Sequence, residues 1–238
     1  MEQISLAQCP LAAFVLLVLL TSGCVAGEVT PISSDRPIHK GSRILASGEL
    51  TVEVMDPASP ERYNRGVRFT PVAAVIRATI GGREYLANPK EHDSLFAAAG
   101  LFAEFDLTTS PPGFDAAKIG EGYMKIGVGI LKKDEEKYSF WPQHELLQAA
   151  KTEVEWGRHQ ARFHQTCGHL AIPVAAGAPL IYAYELTATM KMAGRELSVE
   201  WSLKNTGETA FETEQYTHNI KPTCPLYSAN GSSEPFAL

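Results

Sequence analysis

From Tyr182 to Met192 apolar and polar residues alternate without a break, and no other stretch restricts the fold of this chain so strongly. Tyr182, Tyr184, Leu186, Ala188, Met190 and Met192 fall on one side; Ala183, Glu185, Thr187, Thr189 and Lys191 fall on the other. A period of two is that of a β-strand with one buried face. Ala193-Gly194-Arg195 turns this run into a second one, in which Leu197, Val199, Trp201 and Leu203 alternate with Ser198, Glu200, Ser202 and Lys204. Asn205-Thr206-Gly207 then has turn chemistry, because Asn and Gly tolerate positive φ, and it joins this strand to a further one from Ala210 to Asn219.

The remaining segments repeat the pattern. Leu50, Val52 and Val54 alternate with Thr51 and Glu53, and Asp56-Pro57-Ala58-Ser59-Pro60 ends that strand. Residues Val72 to Leu86 read as a hairpin around Gly81-Gly82. Tyr123 to Leu131 and Lys137 to Trp141 read as another, around the charged run Lys132 to Glu136, a solvated loop. Thr152 to Trp156 and Ala161 to Thr166 form a pair around Gly157-Arg158. No long segment has a helical period, although Leu146 to Lys151 has room for one or two helical turns. Strands joined by short turns predict an all-β fold, an antiparallel β-sandwich. A chain of 238 residues fits one such domain.

A net charge of −6 and the lack of a long basic run argue against a nucleic-acid backbone as partner. Leu11 to Leu20 is an unbroken apolar run, too short to span a bilayer comfortably and suited to the core of an export leader. The small residues Thr21 to Gly27 follow it. Leu20-Thr21-Ser22-Gly23-Cys24 resembles a bacterial lipobox, which makes Cys24 a lipidation candidate and a lipid anchor the membrane contact to expect. Cleavage after Ala26 or Gly27 is the other outcome and gives a soluble exported product. The expected organisation is a leader over 1–27, a linker over 28–47, the β-sandwich over 48–219 and an atypical tail over 220–238. Cys167 and Cys224 then remain for the mature body, enough for one disulfide.

The strand from Ala210 to Asn219 departs from the usual pattern. Glu212, Glu214, Tyr216 and His218 share one face, and Phe211, Thr213, Gln215, Thr217 and Asn219 share the other. Carboxylates, a phenol and an imidazole make a poor core wall and a suitable floor for a polar ligand. The alternative is an exposed edge strand with a solvated face. His159, His164 and His169 are five apart, which sends successive side chains of a strand to opposite faces and makes a poor chelate.

Leu203-Lys204-Asn205-Thr206-Gly207 followed by Glu214-Gln215-Tyr216-Thr217-His218-Asn219 resembles the galactose mutarotase (aldose 1-epimerase) superfamily, and is most similar to its uncharacterised exported branch. Ile220 stands where that branch usually has Phe. Gly120 to Gly129 resembles a further block of the branch. His92-Asp93-Ser94 and Gly100 to Phe105 resemble the segment carrying a second histidine before a pair of glycines, with His92 displaced and Ala99 in place of the first glycine. The resemblance implies a supersandwich fold, incomplete at the C-terminus, and a carbohydrate ligand, either a monosaccharide or a glycan end. It also implies acid/base ring opening of the sugar without metal or organic cofactor. His218 would protonate the ring oxygen, a role suited to a group titrating near neutrality. Arg68, His92, Glu104 and Tyr216 would contact the substrate. The alternative for Arg68 is an arginine paired with a carboxylate at a strand edge. In these enzymes the general base is a glutamate well beyond the histidine. Here residues 220–238 hold three prolines and no strand period, so the tail cannot easily complete a sheet. A frameshift or premature stop is the simplest cause, and a genuine short form with a loose tail is the alternative. A sugar-binding domain without turnover and a purely structural exported domain are the competing readings.

Overall fold

A computed structural model describes residues 37–86, 93–96, 99–175 and 177–219 in full, and residues 2–6 and 11–19 as backbone. Among them there is no helix, and none is therefore long and apolar enough to cross a membrane. The strands are β1 (Glu2–Leu6), β2 (Leu11–Leu19), β3 (Ser42–Ser47), β4 (Leu50–Met55), β5 (Val75–Ile80), β6 (Arg83–Leu86) and β7 (Leu101–Phe105). They continue with β8 (Gly122–Lys125), β9 (Gly129–Lys132), β10 (Leu146–Ala149), β11 (Lys151–Trp156) and β12 (Gln160–Ile172). The last three are β13 (Leu180–Ala193), β14 (Glu196–Asn205) and β15 (Phe211–Asn219).

Every pairing is antiparallel. The first sheet runs β1-β15-β7-β5-β4-β3, with β6 also on β5; the second runs β11-β12-β13-β14-β2. A small third sheet has the order β10-β9-β8. One continuous apolar core joins the two large sheets: Val52, Val75, Phe105 and Phe211 from the first meet Phe163, Leu186, Met190 and Trp201 from the second. The rings of Phe105 and Trp201 touch across this interface, centroids 6.3 Å apart. The fold is thus an all-β sandwich, and the alternation of β13 and β14 does what its period dictates. Leu186, Ala188, Met190, Leu197, Val199, Trp201 and Leu203 are buried in the core.

Several local expectations are corrected. The strands β14 and β15 do not form a hairpin; they belong to different sheets. After Asn205 the chain folds back on β13, with the Glu208 and Thr209 N–H groups donating to Ile181 O and that of Thr206 to Ala183 O. Gly207 is needed there for close approach, not for positive φ. A Cβ at this position would lie 2.5 Å from Ile181 O and 2.6 Å from Ala183 N.

The expected strand from Tyr123 to Leu131 is itself a hairpin, β8 and β9, because Gly127 turns the chain at φ 80° against Thr70. Lys137 to Trp141 is consequently a loop. Leu146 to Lys151 is strand, not helix, since it pairs with β9 and leads into β11. Ser42–Ser47, expected in the linker, pairs with β4 and buries Leu45. Lys133, expected in solvent, is buried and donates to Phe114 O and Ala117 O, at 2.9 and 3.0 Å.

The apolar run Leu11–Leu19 lies along β14, from Leu11 opposite Lys204 to Leu19 opposite Glu196, and Glu2–Leu6 lies along β15. Cys9, Cys24, Cys224, His92 and the tail 220–238 fall outside the described residues. Cys167 is a buried free thiol, and burial pushes its pKa up to about 11.

Candidate functional site

The two faces of β15 have different surroundings. Phe211, Thr213 and Gln215 are buried, Phe211 in the inter-sheet core. The opposite face carries Glu214, Tyr216 and His218, and the register with β7 sets Tyr216 opposite Glu104 and His218 opposite Phe102. Directly opposed residues project from the same side of a sheet. Phe102 belongs to a second, smaller core with Met55, Tyr63, Phe69, Ala74, Ile76 and Ala99. The connection between β4 and β5 covers this face, fastened to β7 by the Thr70 N–H bond to Ala103 O at 3.0 Å.

That connection delivers Arg68. Its Nε donates to both oxygens of Glu104, at 3.1 and 3.0 Å, and its Nη2 lies 3.2 Å from His218 Nε2. A guanidinium has donors only. His218 Nε2 is therefore the acceptor, and its ring proton sits on Nδ1. Glu104 Oε2 is 3.6 Å from the same Nε2. Arg68 is 9% exposed and Glu104 is fully buried, so their mutual neutralisation is required for burial.

Aromatic rings close the constellation. The Arg68 guanidinium carbon lies 4.7 Å from the Phe69 ring centre, 4.6 Å from that of Phe140 and 4.5 Å from that of Trp141. Phe69 and Tyr216 each meet the His218 ring edge-on, at 5.0 and 4.9 Å. Trp141 is nonetheless 63% exposed. One of its faces meets the guanidinium while most of the indole reaches solvent.

The loop 133–145 that carries Phe140 and Trp141 is braced at several points. Lys125 Nζ, fully buried, donates to Tyr138 OH at 2.6 Å and to the carbonyls of Phe105 and Asp106. Burial pushes the Lys125 pKa down, against the pull of Asp106 and Glu104. His144 lies 2.8 Å from both Asp134 Oδ1 and Ser139 O. Gln143 accepts from the Val67 N–H at 3.2 Å and donates to Leu95 O at 3.0 Å.

Two neighbouring carboxylates have structural work. Burial pushes the Glu214 carboxyl up, but hydrogen bonds from the Thr108 N–H and hydroxyl and from the Thr109 N–H outweigh it and hold its pKa below the usual value. Asp106 sits at φ 55° with Oδ1 accepting from the Thr213 hydroxyl and Oδ2 unpartnered. Burial raises its pKa to about 6, against the opposing charge of Lys125.

Of the sequence-derived candidates, Arg68, Glu104, Tyr216 and His218 come together at one place. Glu104 has no exposed surface and holds Arg68, so it does not face a ligand in this arrangement. His92 and Cys24 lie outside the described residues. Among the described residues no group of three His, Cys, Asp or Glu is arranged to hold a metal ion. Phe140, Trp141, Tyr138 and Lys125 escape sequence reasoning. The available signal is the pair Phe140-Trp141 directly before Pro142, which a strand reading of 137–141 conceals. Comparison with family models, with curated proteins and with solved structures gives no match to this chain.

Proposed function

We propose that the Arg68–His218–Trp141 face binds a carbohydrate. The observation that carries this reading is an indole 63% exposed and held against a guanidinium that also reaches His218. A flat apolar ring beside polar groups suits a sugar, whose C–H face stacks while its hydroxyls take hydrogen bonds. The half-buried Tyr216 and His218 supply polar groups beside it. The Arg68 charge is balanced by Glu104, which favours an uncharged ring at this position.

The resemblance to galactose mutarotases supports a second reading, in which the bound sugar interconverts its anomers. His218 protonates the ring oxygen, the bond from that oxygen to the anomeric carbon breaks, and the anomeric hydroxyl loses its proton to a base. Glu104 Oε2 lies 3.6 Å from His218 Nε2, but that nitrogen already accepts from Arg68 at 3.2 Å, so a proton given to the ring oxygen would have to leave from Nδ1 of the protonated ring. Glu104 and Glu214 are already engaged and Glu212 is exposed further along β15, which favours binding over turnover. Export, as a soluble product or through a lipid on Cys24, is part of the same proposal and rests on the N-terminal apolar run.

Titration of tryptophan fluorescence with neutral monosaccharides and oligosaccharides tests the binding reading. A saturable change in the wild type, lost in His218→Ala and in Trp141→Ala with melting temperatures retained, is the expected result. Absence of any saturable response across neutral sugars overturns it. Polarimetry of a freshly dissolved α-anomer tests turnover.

A further inference from the structure

We propose that the cavity between the β4–β5 connection and the segment 146–152 is an oxyanion site, taking a carboxylate, sulfate or phosphate on Arg62 and Arg65. It encloses about 230 Å³, and its walls include Arg62, Asn64, Arg65, Phe69, Thr152 and Gln165. Two arginines therefore line one cavity, and no carboxylate among the described residues lines it with them.

Both arginines keep most of their donors available. Arg62 gives Nε to Asn64 O at 3.0 Å, and Arg65 gives Nη2 to the Ser94 hydroxyl at 2.9 Å. Each guanidinium has five N–H donors, and these acceptors are neutral. Neither arginine has an ion pair among the described residues. The carboxylates nearest in sequence are directed elsewhere: Asp56 meets Arg43 at 3.1 Å and Glu61 meets Lys40 at 3.7 Å. Burial, and then the charge of Arg65, depress the pKa of Arg62, as expected of two cations sharing a partly desolvated space. An oxyanion removes that repulsion and matches the planar fork of a guanidinium. In a chain of net charge −6 this cavity is a local reversal of sign.

The inference stands apart from the sugar reading and survives its failure. Its test uses the full chain at constant ionic strength, with sodium chloride replaced stepwise by sodium sulfate, phosphate or glucuronate. Melting temperature and titration calorimetry are followed. At least one of the three should raise the melting temperature saturably, with half-effect in the millimolar range. Response to glucuronate alone assigns a uronic-acid carboxylate; response to sulfate or phosphate assigns a tetrahedral group. Arg65→Gln, at an exposed position, and Arg62→Gln should each weaken binding at least tenfold, while the exposed Arg158→Gln should leave it unchanged. If Arg62→Gln does not fold, Arg65→Gln alone decides. No saturable effect beyond chloride, or an undiminished effect in Arg65→Gln, overturns the proposal.

Discussion

Arg68 and Glu104, 36 residues apart in sequence, meet on the buried side of the candidate site, with Nε of the guanidinium donating to both carboxylate oxygens. Removing one partner from such a pair strands the other charge. Glu104→Ala should cost about 3–5 kcal/mol of folding stability, read as a shift of the urea midpoint. The double variant Arg68→Met/Glu104→Leu should recover most of that loss while remaining unable to bind sugar. Equal destabilisation in the single and double variants would show that the pair is not the source of the cost.

Trp141 is exposed and its neighbours are held without it. Trp141→Ala should change stability by less than about 1 kcal/mol, because surface truncations outside the core are small. Sugar affinity should fall at least tenfold, measured by calorimetry. An unchanged affinity would place the ligand elsewhere.

Asp106 supplies a pH signature. Its pKa is raised from 3.8 to about 6 in the fold, so the folded state favours the protonated acid. That contribution is fully present below about pH 4 and is lost as pH rises through about 6. Asp106→Asn keeps an oxygen for the Thr213 hydroxyl and suits the positive φ. It should flatten the stability profile between pH 4 and 6, and be more stable than wild type at pH 7 by on the order of 2 kcal/mol. Chemical denaturation across this range measures both effects; a parallel profile would rule out Asp106 as the titrating group.

Gly207 tests the crossover between the sheets. A Cβ there lies 2.5 Å from Ile181 O, a backbone atom that cannot swing aside. Gly207→Ala should therefore destabilise the fold by about 1–3 kcal/mol, whereas Gly194→Ala, with no atom within 4 Å of its Cβ, should lose only the cost of its positive φ.

The N-terminal run is open to a direct mass measurement. Expressed in a bacterial host, the chain should be cleaved before Cys24 or after Ala26 or Gly27, with a diacylglycerol-sized gain on Cys24 in the lipidated form. Removal uncovers one edge of β14 and one of β15, and uncovered edges favour association between copies. Retention of Met1 on the purified protein would instead keep Leu11–Leu19 available as the outer strand of the second sheet.

Strand positions and buried faces were legible along much of the chain, because a period of two is a local property that burial must respect. Tyr184, Leu186, Met190, Leu197 and Trp201 could be assigned to the core from spacing alone. The unusual face of β15 was equally visible, since Glu214, Tyr216 and His218 recur at every second residue. Which strands become neighbours is not local. The step from β14 to the other sheet depends on Gly207 packing against β13, and the hairpin at Gly127 depends on the approach of Thr70. The site itself is decided at that level. Arg68 reaches His218 across 150 residues of chain, and Phe140 and Trp141 join them on a loop anchored through Tyr138 to the buried Lys125 and through Gln143 to Val67 and Leu95. Alternation in the sequence states which side of a strand faces inward. Only the packed structure decides what that side meets, because the site's contacts join segments that are far apart in the sequence.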